Sequence, residues 1–138
     1  MKPSIPAEAV ETAKVAKRLS ELCNSGQNHI AMQELYADNV RHVEAMGMDD
    51  GMYARLTEGK SSVMAKAEAW LKSTQIHSAS CSKPLVNGDQ FVCQMSLDAT
   101  ATAGPMAGQR MQMNETALYT VKNGKIVEAK FFYPGCEQ

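Results

Sequence analysis

Along this chain the spacing of apolar residues changes period once, and no other feature constrains the fold as strongly. Up to residue 75 the apolar side chains recur every three or four positions, as in amphipathic helices. From Ile76 to Tyr133 they recur every second position, as in half-buried strands. Helices first and strands afterwards point to an α+β fold, with the helices segregated on one face of a mainly antiparallel sheet. The 138 residues suit a single domain spanning 1–138, with a core over about 8–134. A chain of this length buries ~68% of its unfolded surface, enough for a hydrophobic core.

Three helices are predicted. Pro6 opens "AEAVETAKVAKRLSELC", where Val15, Leu19 and Leu22 share one face and "NSG" ends it. A short helix, "NHIAMQELYA", follows and closes at Asp38 and Asn39. "VRHVEAMG" then reads as a strand entering a glycine-rich loop, "GMDDGMYARLTEG". The third helix is "KSSVMAKAEAWLKST", capped by Ser61 or Ser62. Its apolar stripe is Val63, Met64, Ala67, Trp70 and Leu71.

The second half reads as a four-stranded antiparallel meander. Hairpin turns are predicted at Asn87-Gly88 and Asn123-Gly124. A strict two-residue turn at Asn123-Gly124 would set Glu128 against Tyr119 and Lys130 against Ala117. A bulge at Gly124 pairs Val121 with Lys125, Tyr119 with Val127, Ala117 with Ala129 and Glu115 with Phe131. The bulged register keeps one face apolar and is preferred. The same choice in the preceding hairpin sets Cys81 opposite Cys93 and His77 opposite Leu97. The inner face then holds Phe91, Cys93, Met95 and Leu97 beside Met111, Met113, Ala117 and Tyr119. Leu118, Ile126 and Phe132 fall on the other face.

Composition narrows the function classes. The net charge is -1, with no clustered basic face, so neither nucleic acid nor a membrane surface is an expected partner. "MKPSIPAEAV" has no apolar core of a secretory signal, and no run approaches the ~20 apolar residues of a membrane span. A soluble, cytoplasmic protein is expected. Cys23, Cys81, Cys93 and Cys136 show no zinc spacing and read as free thiols. Neither a metal nor a cofactor is expected. "ARLTEGKS" has Ala54 where a phosphate-binding loop needs glycine, and no buried strand precedes it.

Several segments together resemble the SnoaL-like group of the nuclear-transport-factor-2-like superfamily. These are the paired N-terminal helices, "ELYADNV" leading into a strand, "EGKSSVMAKAEAWL", and the closing "LYTVKNGKIVEAKFFY". The resemblance implies a cone: N-terminal helices packed in the concave face of a curved, mainly antiparallel sheet, with a pocket at the open end. It also implies that homodimers are common. Cyclases of the group carry a pattern similar to "GKIVEHWD" in the last strand, whose histidine and aspartate point into the pocket. Here "GKIVEAKFFY" places Ala129 and Phe131 at those positions, so the resemblance does not carry the cyclase acid–base pair with it.

Glu115 is the sharpest candidate, a carboxylate in the middle of the strand's apolar set. Such a group must be paired, hydrogen-bonded or protonated, and burial raises its pKa toward the range of a general base. His77 opens its strand on the inner face. His42 and Glu44 share a face with Val40, while Arg41, Val43 and Ala45 share the other, leaving the orientation of that strand open. Tyr53 and Trp70 could stack on a flat ligand, or Trp70 could pack in the core. Tyr119 and Tyr133 carry hydroxyls that need partners. With Met113 and Phe131 these residues form the predicted pocket. The first expectation is a protein that binds a small, largely apolar or aromatic molecule. The second is an isomerase, lyase or hydrolase needing no cofactor, with Glu115 as base. The third is a non-catalytic homodimeric module.

Overall fold

The computed structural model describes residues 1–135; Cys136 lies outside them. Helix α1 spans Ala7–Asn24, with Pro6 at its N-cap. It buries Thr12, Val15, Ala16, Leu19, Leu22 and Cys23 along one stripe. Helix α2 spans Asn28–Leu35. It stops two residues earlier than the sequence suggests, because Tyr36 is already extended and begins strand β1, Tyr36–Val43. Strand β2, Leu56–Glu58, pairs antiparallel with β1 inside the segment expected to be loop. Helix α3 spans Lys60–Lys72. Its N-cap is Gly59, at φ 91, so Ser61 and Ser62 lie in the first turn and do not cap it.

The expected meander is present but forms part of a larger sheet. Strands β3 (Thr74–Cys81), β4 (Leu85–Asn87), β5 (Gln90–Ala101), β6 (Arg110–Lys122) and β7 (Lys125–Phe132) follow in order. The seven strands run β2-β1-β7-β6-β5-β3, with β4 extending the β3 edge of β5. Strand β1 joins β7 in parallel, the one parallel pairing among the described strands. That pairing carries the sheet around the helices. Helix α1 lies across β3, β4 and β5, and α3 lies against β1, β2 and β3. The sheet and helices make an α+β cone with α1 filling its concave side.

Both hairpin registers differ from those expected. The last turn is a strict two-residue turn: Asn123 (φ 52) and Gly124 (φ 73) are both left-handed, and Lys122 pairs with Lys125. The bulge comes one step later. Val121 pairs with Ile126 and Thr120 with Glu128, which leaves Val127 as the extra residue. Tyr119 therefore faces Ala129, and Ala117 faces Phe131. Glu115 does not face Phe131; it faces Met95 on β5. The delayed bulge permits the tight turn and still keeps Ile126, Ala129 and Phe131 inside. In the preceding hairpin the turn is Gly88-Asp89, with Asn87 opposite Gln90. Cys81 is thus opposite Met95, not Cys93. His77 is the unpaired residue of a second bulge, between Ile76 and Ser78.

The orientation of β1 is also settled. Val40 and His42 are buried, and Arg41 is exposed and 3.4 Å from Glu128. Ile126, placed on the outer face from sequence, is 0% exposed and belongs to the core with Phe91, Val40 and Leu19. Ile126→Ala should therefore destabilise the chain by about 2–5 kcal/mol in denaturant melts. A cost within about 0.5 kcal/mol, normal for a surface site, would contradict this placement.

Candidate proton-transfer and ligand site

A row of aromatic rings floors the concave face. Phe91 stacks on Tyr119 at 4.7 Å, and Tyr119 meets Phe131 edge-on at 6.4 Å. Phe131 in turn meets His42 edge-on at 5.0 Å, and His42 meets Tyr36 at 5.4 Å. The strands supply these rings from alternate positions, which is why sequence-distant aromatics come into register. His42 Nε2 and the Tyr36 hydroxyl are 2.8 Å apart and hydrogen-bonded. Burial, then the charge of Lys66, pushes the His42 pKa down to about 4, so the ring is neutral at physiological pH. The Tyr119 hydroxyl donates to Met95 Sδ at 3.9 Å.

Carboxylates gather at one end of this floor. Glu44 directly follows β1, and its Oε1 lies 4.0 Å from Lys66 Nζ of α3. The Tyr133 hydroxyl donates to Glu44 Oε2 at 3.2 Å and accepts from the Met46 N–H at 3.3 Å. The Lys66 ammonium also reaches the Ala54 carbonyl at 3.3 Å and Thr57 Oγ1 at 3.5 Å. Glu115 is half-buried beside this group. Burial is the larger cause, and the Glu44 charge the second, of a Glu115 pKa raised to about 7. Glu115 and Glu44 both push the Tyr133 hydroxyl upward, behind the larger effect of burial. A carboxyl poised near neutrality can accept a proton from carbon or oxygen and return it.

The structure thus brings together His42, Glu44, Glu115, Tyr119, Phe131 and Tyr133. Met113 is half-buried next along the same face, opposite Leu97. Trp70 is half-buried on α3. Two predicted members lie elsewhere. His77 is exposed, and its Nε2 sits 2.7 Å from Thr100 Oγ1, because its bulge places it with the polar outer residues of β5. Tyr53 is 57% exposed in the loop after β1, and its hydroxyl lies against Gly104 of the β5–β6 loop. Lys66 and Met95 went unrecognised as site members. Lys66 had a signal, since it stands three residues after buried Val63 on one helical face. Among the described residues, no group of three His, Cys, Asp or Glu is placed to hold a metal ion, and no helix is long and apolar enough to cross a membrane. Two surface clefts lie apart from Glu115. One, of about 470 Å³, is lined by Gln33, Asp38 and the start of α3; the other, of about 360 Å³, lies between α1 and the turn at Asn123.

The model of the SnoaL-like domain matches residues 10–133. The chain is a member of the SnoaL-like family. A solved structure from Mesorhizobium loti, described as a candidate SnoaL-like polyketide cyclase, is 38% identical over 88% of this chain and 97% of its own, with a TM-score of 0.79. A candidate SnoaL-like polyketide cyclase from Jannaschia sp. CCS1 shares the fold at 16% identity and a TM-score of 0.70, over 95% of this chain and 90% of its own. A candidate isomerase from Bacillus subtilis does so at 11% identity and a TM-score of 0.69, over 94% and 90% of the two chains. No curated protein matches the sequence significantly. Where this SnoaL-like chain carries Ala129 and Phe131, both are buried on the concave face, so the last strand adds no ionisable group there.

The two perturbed groups oppose each other in pH. Glu115 binds its proton more tightly folded (about 7) than at the ordinary value of 4.5, so its protonated form favours the fold and that contribution fades as pH rises from 4.5 to 7. The effect amounts to roughly 3 kcal/mol. His42 behaves the other way: its neutral form favours the fold, with the full contribution above 6.5 and loss as pH falls toward 4. Glu115→Gln should therefore melt higher than the parent at about pH 8 and lose more stability on acidification to about pH 4.5. A melting difference that stays constant across this range would exclude a raised Glu115.

Proposed function

We propose that this SnoaL-like chain binds a small, largely apolar molecule bearing a carbonyl, and moves a proton on the carbon beside that carbonyl. Glu115 is the base. The observation that carries this reading is its carboxyl, held near neutrality on an aromatic and methionine-lined face. Abstraction of a proton beside a carbonyl builds charge on the carbonyl oxygen. The Lys66 ammonium and the Tyr133 hydroxyl, both gathered at Glu44, would be the donors that meet that charge. Both are engaged by Glu44 in the resting site, so substrate binding would exchange one Glu44 contact for a contact to the developing oxyanion. The reaction class is isomerisation or elimination, and it draws on no group beyond these side chains. The candidate isomerase and cyclases that share the fold fit this class of chemistry, although the last-strand pair of the cyclases is replaced by Ala129 and Phe131.

The reading is tested with a panel of small cyclic enones in deuterated water, following exchange of the α-carbon hydrogen by NMR. The parent should accelerate exchange of at least one member, and Glu115→Gln should slow it by about 10²–10⁴-fold. Equal exchange by parent and variant would remove Glu115 from the chemistry.

A second observation supports a homodimer. Phe132 is 47% exposed on the outer face of the sheet, on the same strand face as Lys130, whose Nζ lies 5.9 Å over its ring, with half-buried Leu118 opposite Lys130. This apolar pair would bury against a second copy. Light scattering should find a dimer that Phe132→Glu converts to monomer; a monomeric parent would dismiss the idea.

A further inference from the structure

The helices leave part of the concave face uncovered, and the uncovered part reaches the border of the sheet. Strand β3 forms that border. Helix α1 is pinned to one end of it. The Cys81 N–H donates to Asn24 Oδ1 at 2.8 Å, and the Cys81 carbonyl accepts from Asn24 Nδ2 at 3.0 Å. The other end is tied where Ser73, at the C-cap of α3, accepts on its carbonyl from the Thr102 N–H at 2.9 Å. Between the two ties, residues 75–80 are all exposed. A strand stretch of that length spans roughly 20 Å.

Register identifies the inward-facing members of this stretch. Cys81 pairs with Met95, Ala79 with Leu97 and Ile76 with Ala99, and these β5 residues alternate with the polar Gln94, Ser96 and Asp98. Met95 and Leu97 pair in turn with Glu115 and Met113 of β6. Two rows therefore run from the border inward, Cys81–Met95–Glu115 and Ala79–Leu97–Met113. Along β5, Cys93 and Ala99 are 2% and 0% exposed, whereas Met95 and Leu97 between them are half-buried. Met113 and Glu115 are half-buried as well, next to Ala117 at 0%. The first row is closed at the border by buried Cys81, and the second is open there at exposed Ala79.

Strand order fixes how a ligand would lie on this strip. Glu44, which holds Lys66 and the Tyr133 hydroxyl, follows β1, and Tyr133 follows β7, so these polar partners stand on the β1–β7 side of Glu115. The strip extends the opposite way, across β5 to β3, and apart from Glu115 it is apolar. A molecule with its carbonyl toward Lys66 and Tyr133 therefore points its remainder at β3. Strands β6 and β3 are two sheet spacings apart, about 10 Å. A compound of one ring fits within that distance, and a longer one emerges over Ala79. Strand side chains stand perpendicular to the sheet, so a methyl group at position 79 leaves the way clear where a longer side chain would stand in it.

We propose that Ala79 is a specificity-determining residue, which lets the apolar end of an elongated ligand leave the concave face across β3. The ligand class is a cyclic or aromatic carbonyl compound that carries an apolar extension on the side away from its carbonyl. Leu97, Met95 and Met113 form its floor, and the two thioethers adapt to its outline. The direction of the ligand rests on the reading of Glu115, Lys66 and Tyr133 given above. The opening at Ala79 rests on register and burial alone.

The test compares Ala79→Phe with Ser80→Phe, a neighbour on the outer face. Both positions are exposed in a strand, where phenylalanine is favoured, and circular dichroism checks that each variant folds. Ala79→Ile replaces the first variant should it fail. The first readout is binding of the fluorescent naphthyl ketone prodan, which needs no turnover. The parent should bind it at a single site, Ala79→Phe should weaken binding about tenfold or more, and Ser80→Phe should not. The second readout is hydrogen exchange in cyclohexenone with and without a hexyl chain opposite the carbonyl. Ala79→Phe should raise KM for the hexyl compound about tenfold more than for the plain one, with the loss in KM and not in kcat. No exchange by the parent would end the reading of Glu115 as base, and the dye would still decide the opening at Ala79. A parent that does not bind the dye, or equal binding by both variants, would overturn the proposal. So would a fall in mass of Ala79→Phe by light scattering, since a second copy would then be what covers β3.

Discussion

An apolar concave sheet must be filled, and in this chain one helix stripe fills it. Thr12, Val15, Ala16, Leu19 and Leu22 of α1 lie against the strands, and each is nearly or wholly buried. Burial of Val15, Leu19 and Leu22 is worth roughly 1.5–3 kcal/mol apiece. The strands can curve around α1 because two bulges, at His77 and Val127, add a residue to one strand and none to its neighbour. Everything at the carboxylate end follows from this. Helix α1 lies across β3, β4 and β5, and the groups at the carboxylate end come from β6, α3, the chain after β1 and the chain after β7.

What they supply is mixed in charge. Glu44, Glu115 and Lys66 come from a strand end, a strand interior and a helix. Two carboxylates sharing one cation cannot be equally satisfied. Glu44 takes Lys66 and the Tyr133 hydroxyl, and Glu115 is left with burial and a like charge as its dominant surroundings. The asymmetry sets one carboxyl apart in proton affinity, a division of roles often found where two acids serve one reaction. His42 cannot take the proton in its place, because its ring is committed to Tyr36 and sealed under Phe131.

The change of period made the layering readable from sequence, and alternation made the inner face readable. Glu115 stood out as a charged residue in an apolar series, and Glu44 and His42 as partners on one strand face. The structure keeps all three together. Features that depend on chain-distant partners left no such trace. Strand β2 is three residues long, too short to show a period, and exists because the edge of β1 is there to pair with it. The parallel join of β1 to β7 links segments about ninety residues apart, with no local signature. Of the two trial registers for the last hairpin, one had no bulge and the other put it at the turn, whereas two left-handed residues make a strict turn and the extra residue falls at Val127. His77 was placed inside by counting in twos, which a bulge defeats. The contact of Tyr133 with Glu44 crosses 89 positions and is visible only in three dimensions.

The Asn24 side chain presents to Cys81 a donor and an acceptor with the spacing of a peptide group. It occupies the place that the backbone of a further strand would take. Strand β3 lies at the border of the sheet, where open N–H and C=O groups invite another chain to add itself. At this end of the border the invitation is already answered from within, and Pro84, two residues past Ser82, has no N–H to offer. A helix terminus thus also serves as the sheet's guard against uncontrolled strand addition.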